Sequence, residues 1–158
     1  MDDIDIVRLS VPGTLQYRDL VLRAVSSFCR LVRAQSKQEA SRAEADEFDD
    51  KIVSAVGEAF NNVAIHGYRG RYPGKVELEL EVLANGMSVR LIDTGAVFDP
   101  TGAPATTPSS LPESNMGLFI IRSCVDTVDY RGGSPPDVPN VLTLTKHYAP
   151  PDLAKARR

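Results

Sequence analysis

Two strand-like runs, "KVELELEVL" and "MSVRLID", stand only "ANG" apart near the middle of the chain. Such runs joined by a short link containing glycine read as a β-hairpin, which commits the sheet to antiparallel pairing at its centre. "DIDIVRLSV" alternates apolar and polar residues up to Pro12-Gly13 and reads as an earlier strand. "VDYRGG" and "NVLTLTKHY" read as two later ones.

Helical periodicity fills the gaps between these strands. "TLQYRDLVLRAVSSFCRLVRA" sets Leu15, Leu22, Val25, Phe28 and Val32 near a 3.6-residue period, so a helix capped by Thr14 is expected. Residues 35–45 are polar and read as a connector. A second helix is expected from about 46 to 66, with Phe48, Ile52, Val56, Ala59 and Val63 as its core stripe and Gly67 ending it. "MGLFIIRSCVDTV" is the third. Before it, residues 99–114 ("DPTGAPATTPSSLPES") are dense in Pro, Ser, Thr and Gly and lack an apolar period, so a lid loop is expected over about 96–115.

The order β-α-α-β-β-lid-α-β-β predicts an α/β fold: a two-layer sandwich with a mixed, mostly antiparallel sheet and helices on one face. One domain is expected over residues 1–148, followed by a flexible tail at 149–158. The net charge of −3 offers no basic footprint, which argues against nucleic acid as a partner. No run of about 18 apolar residues exists and the N-terminus is acidic, so neither a membrane span nor a signal peptide is expected, and the cytoplasm is the expected compartment. Cys29 and Cys124 lie in apolar helical segments and are expected to be buried, reduced thiols.

Chemistry concentrates in "EAFNNVAIHGY". Asparagine competes with helical hydrogen bonds, so a pair of them inside a helix calls for a reason. Glu58, Asn62 and His66 recur every four residues and form one row at the edge of the buried stripe. Asp93 ends a strand and is followed by Gly95, where backbone can approach a ligand closely. "SNMGLFII" opens a helix directly after the lid, and its free N–H groups suit an anion such as phosphate. The chain has no G-x-x-x-x-G-K-[ST] motif, so a P-loop is not the source of a nucleotide site.

In this order the motifs resemble the GHKL ATP-binding superfamily with its Bergerat (histidine kinase-like ATPase) fold. "EAFNNVAIHGY", "DTGAVFDP" and "NVLTLTKHY" look like the anti-sigma-factor serine/threonine-protein kinases of stress-response and sporulation switches, over about residues 4–147. The resemblance implies ATP and Mg²⁺ as cofactors, with Asn62 coordinating the metal and Glu58 as catalytic base on a serine hydroxyl. It implies that Asp93 holds the adenine amino group, Gly95 leaves room for the ring, and Met116, Gly117 and Leu118 serve the phosphates. His66 would lie near the nucleotide, or be an ordinary helix-end residue. The implied partners are a sigma factor and an anti-anti-sigma protein, and the implied assembly is a homodimer. The alternative reading is an ATP-binding regulatory module that sequesters a partner without kinase activity. Three positions depart from the pattern: Glu113 stands where some relatives have arginine, Asn115 replaces a glycine, and the threonine of the final strand has only Thr143 and Thr145 as candidates.

Overall fold

The computed structural model describes residues 5–36, 39–70, 73–97 and 113–148. In chain order these form strand β1 (Ile6–Pro12), helices α1 (Arg18–Gln35) and α2 (Arg42–Asn61), and the hairpin of β2 (Lys75–Leu83) and β3 (Gly86–Asp93). Helix α3 (Glu113–Cys124) and strands β4 (Thr127–Arg131) and β5 (Asn140–His147) complete the order expected from the sequence. The sheet runs β1-β2-β3-β5-β4, and every neighbouring pair among the described strands is antiparallel rather than mixed.

Period-two alternation turns one face of this sheet apolar. Leu78, Leu91 and Leu142 stand in one cross-strand row, and Leu80, Val89 and Leu144 in the next. These residues share a single buried cluster with Val21, Val25, Phe28 and Val32 of α1 and with Ile52, Val56 and Phe60 of α2. The helices therefore cover one face, as a two-layer sandwich requires. Burial of each such large side chain contributes about 1.5–3 kcal/mol before the entropic cost of ordering is set against it.

Helix boundaries differ from the sequence expectation where local chemistry outweighs periodicity. The helix over 14–34 opens as a 3₁₀ turn at Leu15–Tyr17, and the Thr14 side chain makes no capping bond. Leu15 is consequently 49% exposed, and Val21 and Cys29 take up the core positions. Helix α2 begins four residues before the expected start, because Ser41 and Glu44 form a reciprocal capping box: Glu44 N–H donates to Ser41 Oγ at 3.1 Å and Ser41 N–H to Glu44 Oε2 at 2.9 Å. Helix α3 starts at Glu113, inside the expected 96–115 lid. The remaining lid from 98 to 112, and the 149–158 tail, lie outside the described residues. Cys29 is buried and Cys124 partly so, both free thiols.

Candidate functional site

Helix α2 does not stop at Asn61; it widens. Asn62–Gly67 form a π-helical turn, closed by the Tyr68 N–H donating to Val63 O at 3.1 Å. Such turns accommodate an extra residue and are frequent at functional sites. Glu58 and Asn62 keep their α-helical spacing and lie half-buried beside the core. His66 falls inside the π turn, so the four-residue row expected from the sequence does not continue to it as a straight line.

Gly117 is the point on which Glu58 and Asn62 converge. A Cβ placed there would sit 2.7 Å from Glu58 Oε2 and 3.8 Å from Asn62 Oδ1. Only the missing side chain lets α3 pass this close to both oxygens. Met116 is the fourth residue of α3, and the first four N–H groups of a helix lack intrahelical acceptors. By position the Gly117 and Leu118 amides lie beyond that free set. Leu118 instead packs in the core, 4% exposed. The earlier start of α3 at Glu113 is the reason for this shift from the expected phosphate-facing triplet.

A second convergence lies at the ends of β3 and β5. Asp93 is buried, and its Oδ1 accepts from Gly95 N–H at 2.9 Å and from Asn140 Nδ2 at 3.1 Å. Asn140 Nδ2 also donates to Gly95 O at 2.9 Å, and Asn140 Oδ1 accepts from Gly133 N–H at 2.9 Å. Burial pushes the Asp93 carboxyl above the usual carboxylate range, and the bonds from Asn140 and Gly95 pull it part of the way back. The space that Gly95 leaves is occupied by backbone: a Cβ there would lie 2.7 Å from the Gly67 carbonyl, whose oxygen accepts from Ala96 N–H at 2.7 Å. The π turn and the strand end are thus stitched together directly.

Tyr68 makes the third tie. Its hydroxyl donates to Lys75 O at 2.7 Å and accepts from Thr94 N–H at 3.2 Å, joining the helix end to β2 and to the residue after Asp93. The sequence reading does not reach Tyr68 or Asn140; it offers Thr143 and Thr145 as candidates for the threonine that relatives use in the final strand. In the strand register Asn140 faces Asp93, whereas Thr143 pairs with Arg90 and Thr145 with Ser88. An asparagine opening the strand that pairs with the Asp-x-Gly strand was the available signal.

Between these ties lies a small cavity of about 30 Å³, open on one side and lined by Ala59, Asn62, Gly67, Asp93, Tyr130 and Leu142 among others. Its lining, an apolar wall with a few polar groups, is of the kind found in small-molecule sites. Among the described residues no three His, Cys, Asp or Glu side chains form a cation cage. The Asn62 amide oxygen suits a hard cation that draws its remaining ligands from phosphate and water, and the Glu58 carboxylate beside it is left to accept a proton.

Residues 12–146 match the family described as the histidine kinase-like ATPase domain. The chain is 31% identical over 103 residues to the serine/threonine-protein kinase BtrW of Bordetella bronchiseptica, covering 63% of this chain and 70% of that protein. It is 31% identical over 88 residues to an anti-sigma F factor of Clostridium beijerinckii, covering 53% of this chain and 61% of the relative. To the serine-protein kinase RsbW of Bacillus velezensis it is 25% identical over 131 residues, 77% of this chain and 81% of the relative.

Proposed function

Because the chain belongs to the histidine kinase-like ATPase domain family, we propose that it binds ATP in the cavity between α2 and the ends of β3 and β5 and acts as a protein-serine kinase and anti-sigma factor. It would hold a sigma factor, phosphorylate an anti-anti-sigma protein on serine, and work as a cytoplasmic homodimer. Names of relatives support this: serine-protein kinase RsbW and anti-sigma F factor. The observation that carries it is the convergence of Glu58 Oε2 and Asn62 Oδ1 on Gly117, beside a cavity with Asp93 in its wall.

In this reading Asp93 Oδ2 accepts a hydrogen bond from the adenine 6-amino group. Asn62 Oδ1 would offer a neutral oxygen to Mg²⁺, and the ion would supply neutralisation of the phosphate charge. Met116 offers its N–H to the phosphates, and Gly117 lets α3 approach them. The serine oxygen bonds to the γ-phosphorus while the bond from that phosphorus to the ADP oxygen breaks. Glu58 takes the serine proton as this happens, a contribution of typically about 10²–10⁴-fold in rate. His66, in the π turn, would lie toward the same nucleotide.

Titration calorimetry with ATP and Mg²⁺ tests the binding half, and transfer of labelled γ-phosphate to a cognate anti-anti-sigma protein tests the chemistry. Asn62→Ala should weaken Mg²⁺-ATP binding by at least about tenfold. Glu58→Gln should keep ATP binding and lose most transfer. Transfer that persists in Glu58→Gln removes the base assignment, and wild-type binding without transfer leaves ATP-gated sequestration in its place. A folded wild type that binds no ATP sinks the proposal.

A further inference from the structure

We infer that the domain carries a second binding site, for a free amino acid recognised as a zwitterion, in the polar cavity where the end of α1 and the segment before α2 meet Tyr148. This site is independent of the nucleotide reading. The β3–β5 ladder runs from Asp93 opposite Asn140 at one end to Gly86 opposite His147 at the other, and Tyr148 lies just past that far end.

The cavity has a volume of about 340 Å³, is open on one side, and is lined by Arg33, Ser36, Glu39, Ala40 and Tyr148. That volume falls in the range of small-molecule sites, and a wall in which only Ala40 is apolar calls for a hydrophilic occupant. The frame is fixed: Tyr148 N–H donates to Asn85 O at 2.8 Å, and its ring stacks on Phe48 with centroids 4.2 Å apart. The hydroxyl is thereby placed, yet Tyr148 Oη is buried and has no hydrogen-bond partner among the described residues. A buried hydroxyl left unpaired is costly, so it marks a place for a group that the chain does not supply. Burial, with the Asp49 carboxylate adding to it, pushes the Tyr148 phenol up to about 12, so it stays a donor at neutral pH. Beside it Arg33 Nη1 donates to Asp49 Oδ2 at 2.7 Å, a bond that engages one corner of a five-donor fork. Asp49 Oδ1, also buried, is a second orphan at the same corner.

Charge decides what fits. Arg33 brings one positive charge, and Asp49 and Glu39 bring two negative ones. A plain anion gains Arg33 but meets Glu39, and a plain cation gains Glu39 but meets Arg33. An amino acid satisfies both: its carboxylate takes donors from Arg33 and Tyr148, and its ammonium turns to Glu39.

The test is a melting scan of the full chain with each standard amino acid at millimolar concentration, then calorimetry on the one that raises the midpoint most. At least one should raise it. Its decarboxylated counterpart should bind at least about tenfold more weakly, and its deaminated counterpart at least about threefold, since each loses one charged contact. Tyr148→Phe keeps the stack on Phe48 and removes only the hydroxyl, so it should fold and bind the amino acid at least about threefold more weakly. Glu39 is exposed, so Glu39→Gln should also fold; it should weaken the amino acid by about threefold and leave the deaminated form bound no more weakly. A panel that moves no midpoint overturns the inference. So does binding that Tyr148→Phe and Glu39→Gln both leave unchanged, because the ligand then sits elsewhere. Equal binding of the decarboxylated or the deaminated form overturns it as well, because two opposite charges are then not what the cavity reads.

Discussion

Asp93 carries two donors on one oxygen and sits where ionisation is unfavourable. Burial keeps its proton on to a higher pH in the folded chain than the ordinary value of 3.8. Between 3.8 and that folded value the native state binds more protons than the unfolded one, so stability falls as pH rises, and the deficit persists at neutral pH. Asp93→Asn removes the deficit while keeping an oxygen for Gly95 and Asn140. Its thermal midpoint at neutral pH should be no lower than wild type, yet ATP affinity should drop by at least about tenfold, as calorimetry would show. In the wild type, ATP affinity should decline on acidification through the folded value, because protonation removes the acceptor; a flat profile would count against Asp93 as the base contact. Two glycines give a sharper contrast. A methyl on Gly95 meets Gly67 backbone, which cannot move cheaply, so Gly95→Ala should lower stability by about 1–3 kcal/mol in denaturant unfolding. A methyl on Gly117 meets the mobile end of Glu58. Gly117→Ala should therefore unfold near the wild-type midpoint but slow phosphate transfer by up to about 10²-fold through displacement of the base. Glu58, Asn62 and Asp93 were legible because their spacing is local. The ties of Asn140 to Asp93 and of Tyr68 to Thr94 were not, because they span 47 and 26 residues, respectively, and only the folded register brings them together.

At the scale of elements, periodicity served where one face of a helix meets a sheet and failed at the ends. Phe48, Ile52, Val56 and Ala59 are all buried on α2, as the 3.6-residue repeat requires. Val63 continues that repeat on paper, and nothing in its side chain distinguishes an α turn from the π turn in which it lies. The tertiary ties of Gly67 and Tyr68 make the difference, and they are invisible to a local pattern. The start of α2 was legible in principle, since Ser41 and Glu44 have the capping-box spacing, but a charged neighbourhood masked it as connector. Ser41→Ala should cost about 1 kcal/mol and lower the thermal midpoint by about 2–4 °C in a scanning melt. Affinity for ATP should be unchanged, because the cap lies at the end of α2 opposite the cavity. A loss of binding in that variant would mean that the helix transmits strain along its length.

Across the whole molecule, antiparallel pairing follows from the hairpin and the strand order from the last connection. That last feature had no sequence signal: β5 could have added at the edge, yet it inserts between β3 and β4. ATP should stabilise the entire domain by mass action, about 2.7 kcal/mol at a concentration of 100 times the dissociation constant, seen as a raised melting midpoint. Asn62→Ala should show a smaller rise at the same concentration, and an equal one would mean that Asn62 stands outside the binding energy. The insertion of β5 also has a consequence for biosynthesis. A ribosome delivers Glu58, Asn62 and Asp93 well before Asn140, which opens the strand laid against Asp93. A nascent chain halted just short of that strand possesses every motif residue of the first two-thirds and still lacks the amide that donates to the Asp93 carboxylate. A chain halted there should therefore bind ATP more weakly than one in which β5 has been laid against β3, because Asp93 has not yet gained its bond from Asn140.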